Sequence, residues 1–204
     1  MKKRFLPFLC LALFAASMSC EKDQANIQRT AVTSNRESLQ SLPPHTTYVI
    51  NKGGHYSSPN PFKLISKNEL VFYAGFDSSC IYTTQDPLNQ QDINKLYGFS
   101  DCNSQHETNS ARLGWYWYQN ALHISAFVHN NGNMIYQDIT TAPVGKIIKC
   151  RITCLASVYQ FEVNGVTVEL PRHCSGNYTR YKLYPYFGGD ETAPHTIRVY
   201  IADK

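Results

Sequence analysis

Two tryptophans in the run Arg112-Leu113-Gly114-Trp115-Tyr116-Trp117-Tyr118 are the residues of this chain best suited to hold a sugar. On a strand, alternate side chains share a face, so Trp115 and Trp117 point one way and Tyr116 and Tyr118 the other. Whichever face is turned away from the core offers flat rings that stack on the C–H faces of a sugar. Arg112, His123, His129 and Asn130 are polar neighbours able to orient hydroxyls, the few convergent polar groups that a binding pocket needs. The competing reading puts the same rings inside a sandwich, where aromatic side chains serve as packing.

Acidic residues suggest two further chemistries. Asp101, Asn103, His106 and Glu107 share one stretch, and Asp190 and Glu191 sit beside Gly188-Gly189. Oxygen ligands on loops suit Ca²⁺, so Asp101, Asp190 and Glu191 are candidate ligands of a structural calcium ion. The alternative is that Asp190-Glu191-Thr192 caps a turn with its side-chain oxygens. Glycoside hydrolysis needs two carboxylates at a set separation, but Asp138, Glu162 and Glu169 each stand alone on their segments. No close Cys-x₂-Cys pair exists, which argues against zinc. Apart from calcium, no cofactor is called for.

These residues belong to a chain of 204 residues, 43% apolar, 13% aromatic and 17% charged, the composition of one ordinary globular domain. Lys2, Lys3 and Arg4 precede the short apolar run Phe5 to Ala16, the layout of an export signal, too short to span a membrane. Ala16-Ser17-Met18-Ser19-Cys20 resembles a bacterial lipobox. That resemblance implies cleavage after residue 19 and acylation of Cys20, anchoring the protein to a lipid membrane. The competing reading is an ordinary cleaved signal followed by a chance cysteine. Glu21-Lys22-Asp23 is similar to the charged tags of lipoproteins displayed on the bacterial surface. Loss of residues 1–19 removes three of 19 basic residues and no acid, leaving 16 against 15 and a net charge of +1. A near-neutral protein without a basic run has no electrostatic footprint for nucleic acid, so that class of partner is excluded. Residues 20–44, rich in Gln, Ser, Thr and Asn and closed by Pro43-Pro44, read as a flexible spacer. A short helix from Arg36 to Leu42 is the alternative there. The folded domain is expected over 45–204.

From Tyr48 onward the pattern alternates with period two, as an all-β protein requires. Leu70 to Phe76 and Leu122 to Val128 read as strands, the latter returning through Asn130-Asn131-Gly132 as Met134 to Ile139. Tyr159 to Val163 and Val166 to Leu170 flank Asn164-Gly165, a strong hairpin signal because both residues tolerate positive φ. Thr196 to Ile201 reads as a final strand. The one helix candidate is Asp92 to Tyr97, stopped by Gly98. Such short segments with turns between them point to a sandwich or barrel. Beyond Cys10 and Cys20 five cysteines remain: Cys80, Cys102, Cys150, Cys154 and Cys174. Cys150 and Cys154, four apart on one strand, lie roughly 13 Å from each other and cannot bridge. The expected disulfide is Cys80 with Cys102. Cys174 is left to pair with either strand cysteine, or the thiols stay buried as small apolar groups.

Four stretches carry a wider resemblance: Phe76 to Thr84, Asp92 to Cys102, Ala111 to Trp117 and Leu183 to His195. They are similar to a group of secreted lipoproteins of Bacteroidetes-type bacteria, which brings no activity to transfer. The hairpin Phe161 to Gly165 with Pro171-Arg172 resembles the late strands of concanavalin A-like jelly rolls. That resemblance implies an antiparallel β-sandwich of two stacked sheets, with ligands met on the concave face or at the loop rim. Lyases of the superfamily use a Gln-x-His strand and a Tyr-rich last strand. Here Leu122-His123-Ile124 lacks the glutamine, and Tyr184-Pro185-Tyr186 departs from the lyase motif. A shared fold does not import chemistry. The expected function is therefore non-catalytic binding of a glycan or polysaccharide by an exported, membrane-anchored protein. A protein-interaction module and a polysaccharide lyase or glycoside hydrolase are the alternatives.

Overall fold

The computed structural model describes residues 38–204; the expected leader, Cys20 and the expected spacer up to residue 37 lie outside the described residues. Thirteen strands follow in order: β1 (Thr46–Ile50), β2 (Ser57–Ser58), β3 (Leu64–Ile65), β4 (Glu69–Phe76), β5 (Asn94–Ser100), β6 (Asn109–Tyr118), β7 (Ala121–Asn130), β8 (Asn133–Ala142), β9 (Ile147–Cys154), β10 (Val158–Val163), β11 (Val166–Pro171), β12 (Arg180–Leu183) and β13 (Ile197–Asp203). They form two antiparallel sheets. One has seven strands in the order β11-β10-β9-β4-β13-β1-β2, and the other six in the order β3-β12-β5-β6-β7-β8. The fold is a jelly-roll β-sandwich, all-β as the alternation requires.

The alternation is seen directly in burial. In β10, Tyr159, Phe161 and Val163 are buried while their neighbours are half-exposed, and β9 repeats the pattern with Ile148, Cys150, Ile152 and Cys154. The inner faces interdigitate around Phe72, Phe76, Phe99, Trp115, Tyr159 and Phe161. Asn164 (φ 50) and Gly165 (φ 86) turn β10 into β11, and Asn131 (φ 51) and Gly132 (φ 82) turn β7 into β8. Both central residues have positive φ, the geometry that matches strand twist in a two-residue hairpin.

One element differs from expectation. Asp92 to Tyr97 is not helical: β5 begins at Asn94, and the helical turn lies earlier, as a short 3₁₀ segment over Pro87–Gln91. The peptide groups needed for a helix are taken across strands. Lys95 donates its N–H to the Tyr186 carbonyl (2.8 Å) and accepts the Tyr186 N–H (2.9 Å). Gly98 is not a helix stop either. It lies against β6, where a Cβ would strike the Ala111 carbonyl oxygen.

The disulfide also differs. Cys102 bridges Cys174 (Cα–Cα 5.7 Å), and Cys80, Cys150 and Cys154 are buried free thiols. Cys80 and Cys102 stand at opposite ends of the sandwich. Cys80 follows the last residue of β4, whereas Arg180, which binds Asp101 beside Cys102, also reaches Asn68 just before β4 begins. The eight residues of β4 span roughly 25 Å, beyond the reach of any disulfide.

The folded body starts before residue 45. Leu39 donates its N–H to the Gly145 carbonyl (3.2 Å), and a 3₁₀ turn over Leu39–Ser41 leads into Leu42. Leu42 then packs against Ile147 and Ala202 on the outer face of the seven-stranded sheet. The end of the expected spacer is thus docked, because Leu39 and Leu42 find apolar partners there.

Candidate functional site

The outward face of the six-stranded sheet carries alternate residues of its strands, and their identities decide what it can do. On β6 these are Ser110, Arg112, Gly114, Tyr116 and Tyr118; on β7 they are His123, Ser125, Phe127 and His129. The other set, Ala111, Leu113 and Trp115 with Leu122, Ile124, Ala126 and Val128, fills the core. Trp115 is fully buried against Phe76, Tyr82 and Phe187, so it is not open to a ligand. Trp117 points the same way and packs on the rim of the core, with its carbonyl accepting from Gln90 (2.6 Å). The sandwich uses both indoles as packing. Asn130 follows the core parity of Val128 and ends β7 at the hairpin, apart from the outward set.

The outward residues line two depressions. The larger, about 650 Å³, crosses the sheet at the level of Arg112. Its floor is Arg112, Lys95, Phe127 and His129. Aromatic pairs stand at its sides: Tyr186 lies between His55 (stacked, 5.2 Å) and Tyr56 (edge-on, 5.1 Å), and Phe62 stacks on Tyr181 (5.9 Å). Tyr56 and Phe62 are 71% and 77% exposed, free to receive a flat apolar surface.

Electrostatics set this cleft apart. Arg112 is buried and its Nε has no hydrogen-bond partner. Burial, only partly offset by exposed Glu107, brings its guanidinium down to about 10. Lys95 projects over the Phe127 ring (4.6 Å) and donates to the Ile93 carbonyl (2.8 Å) and the Gly188 carbonyl (3.2 Å). Burial first, and Arg112 second, lower its ammonium to about 8. His129 and His106 are lowered by the same two causes and stay uncharged at neutral pH. Lys95 is a functional candidate that sequence reasoning missed, since it fell within the expected helix.

The smaller depression, about 340 Å³, lies further along the strands and is lined by Tyr116, Tyr136 and Asp138. Tyr116 stacks on His123 (ring centroids 4.6 Å apart, 9° between planes) and donates its hydroxyl to Asp138 (2.6 Å). Ser125 donates to the other Asp138 oxygen (2.7 Å). The expected ligand-binding set is thus divided: Arg112 and His129 line the large cleft, Tyr116 lines the small one, and His123 stacks behind Tyr116.

The three calcium candidates do not converge. Asp101 follows the end of β5 and is fully buried, accepting from Arg180 Nε (2.9 Å), Arg172 Nε (2.7 Å) and the Tyr159 hydroxyl (2.9 Å). Glu191 accepts backbone N–H groups from Gln85 and Asp86 (both 2.8 Å), and Asp190 donates its N–H to Asp92 near the other end of β5. The length of β5 puts the two groups roughly 20 Å apart. Asp101 works as an ion-pair hub, and Glu191 as the cap of a turn. Asp101 also lies beside Cys102 and Cys174, but both sulfurs are used by their disulfide.

No protein-family model matches this chain, and no curated protein does. Among solved structures it is similar to alginate lyase AlyC3, with TM-score 0.51, 13% identity, and 77% of this chain and 72% of that one covered. It is also similar to a glycoside hydrolase family 16 endo-glucanase from Bacteroides ovatus (TM-score 0.52, 9% identity, 77% and 78% covered). A third is the catalytic domain of an endo-1,3-beta-glucanase from Thermotoga petrophila (TM-score 0.50, 11% identity, 77% and 74% covered). At such identities the likeness establishes the architecture: this chain folds as a concanavalin A-like jelly roll.

Proposed function

We propose that this protein is an exported lipoprotein whose jelly-roll domain binds a polysaccharide in the large cleft without cleaving it. The observation that carries the reading is an aromatic-sided cleft on a sheet whose strands bear a single carboxylate. That carboxylate is Asp138, and both of its oxygens accept hydrogen bonds from Tyr116 and Ser125. A glycosidase needs one acid to protonate the leaving oxygen and a second to attack or activate water. Exposed rings at Tyr56 and Phe62 are what sugar stacking needs. The structural neighbours, an alginate lyase and two glucanases, are in keeping with this reading. Export is supported by the leader layout and by the Cys102–Cys174 disulfide, which suits an oxidising compartment.

A lyase is the second reading, favoured by His129: an uncharged imidazole beside a guanidinium is a suitable base for abstracting a proton next to a carboxylate. One experiment decides. The purified protein is applied to an array of immobilised polysaccharides, and soluble samples are followed for reducing ends and for ultraviolet absorbance of unsaturated uronates. Retention without product is expected. Accumulating unsaturated product would replace the binding reading with the lyase, and silence across the array would leave a protein partner as the better account. Cys20→Ser should move the protein from the membrane fraction to the soluble fraction.

A further inference from the structure

We infer that the polysaccharide is acidic, and that its carboxylate or sulfate ester seats on Arg112 and Lys95 at the floor of the large cleft. This rests on the binding reading above and names the chemistry of what is bound. Arg112 lies on β6 between Phe127 of β7 and Gly98 of β5, its two register partners. Gly98 has no side chain to cover it. Among the described residues no carboxylate forms an ion pair with buried Arg112 or half-buried Lys95, although the other buried arginines and lysine each have one: Arg172 and Arg180 share Asp101, and Lys182 reaches Asp203 (2.6 Å).

The charged and titratable groups around the two cations do not neutralise them. Glu107 is exposed at the rim, and Asp92 is engaged with the N–H of Asp190. His106 and His129 are uncharged, and Tyr181 and Tyr186 are phenols. Two cations held partly or wholly out of water without a counter-ion are costly to keep charged. An anion entering the cleft removes that cost. Arg112 lines the cleft and its buried Nε has no hydrogen-bond partner, so a small turn of the guanidinium brings its planar fork to a carboxylate or a sulfate. Flanking rings then take the apolar faces of the neighbouring sugars.

Calorimetric titration of the purified protein with an oligouronate, a sulfated galactan oligosaccharide and a neutral β-glucan oligosaccharide tests this. The first two arms distinguish the source of the acid group. At least one acidic oligosaccharide should bind roughly tenfold or more tightly than the neutral one, and less tightly as salt rises. At pH 8, runs in two buffers of different ionisation enthalpy should show proton uptake on binding, since an anion restores the Lys95 proton. Arg112→Gln should weaken acidic binding by about tenfold or more, and Lys95→Met should abolish the uptake while weakening binding less. Equal affinity for the neutral oligosaccharide, or acidic binding unchanged in Arg112→Gln, would overturn the inference and leave the binding reading standing. Failure of all three oligosaccharides to bind would overturn the inference, while the binding reading itself falls only with silence across the array. Should Arg112→Gln not fold, proton uptake by the unaltered protein and its loss in Lys95→Met decide alone.

Discussion

Asp101 accepts the Nε–H of Arg172 across 2.7 Å, and both side chains are almost wholly shut off from solvent. Asp101 closes the end of β5 in the six-stranded sheet, while Arg172 follows β11 in the seven-stranded one. The pair therefore clamps the two layers together. Tyr159 and Arg180 complete the cluster, so one carboxylate holds two guanidiniums. Asp101→Asn leaves both arginines buried and uncompensated and should cost about 3–5 kcal/mol. An unchanged urea midpoint would mean that the clamp carries no stability.

The disulfide gives a second expectation. Cys102 and Cys174 close a loop with a sequence separation of 72, for which chain entropy predicts about 4 kcal/mol. Reduction, or Cys174→Ser, should lower the melting temperature accordingly. Peptide mapping should recover the Cys102–Cys174 peptide, with Cys80, Cys150 and Cys154 labelled by a thiol reagent only after unfolding. Burial raises Cys80 to about 12 and Cys154 to about 11, so neither reacts in the folded protein.

A third concerns stability against pH. Folding lowers Lys95 from 10.5 to about 8, so between those values the unfolded chain binds more protons. Its penalty is present below pH 8 and is relieved as pH rises through this window, giving stability that increases with pH there. Lys95→Met should flatten that rise and stabilise the free protein at pH 7, and Arg112→Met should stabilise it by about 1 kcal/mol or more. Thermal denaturation between pH 7 and 10 measures both; destabilisation by either substitution would contradict the uncompensated-charge account.

A fourth separates binding from folding. Tyr56→Ala and Phe62→Ala remove rings that are 71% and 77% exposed, so the melting temperature should hold. Affinity for the bound glycan should fall by about 1 kcal/mol for each. A change in melting temperature without a change in affinity would give those rings a structural role instead.

Much of the architecture was legible from side-chain periodicity. The strands β4, β7, β10 and β11 follow the alternation of their residues, β8 follows from the Asn131-Gly132 turn, and Asn164-Gly165 adopts the positive φ values that its composition favours. Even the placement of Trp115 had a local signal. Ala111, Leu113 and Trp115 form a wholly apolar set, while Arg112, Gly114 and Tyr116 do not, and this contrast marks which face is core. The aromatic content of Trp115-Tyr116-Trp117-Tyr118 obscured it. Helix propensity misread Asp92 to Tyr97 because the pairing with Tyr186 and β6 is made by residues distant in the chain.

By itself, then, the order of residues determined the all-β class and the hairpins, because period-two patterning and turn chemistry act over a few neighbouring residues. Only the tertiary structure decided that Cys102 meets Cys174, that Asp101 holds two arginines, and that Lys95 stands beside Arg112 over Phe127. Those outcomes depend on which strand ends and which sheet faces come together. Local sequence holds no record of that, since the deciding contacts join residues brought close only when the sheets stack.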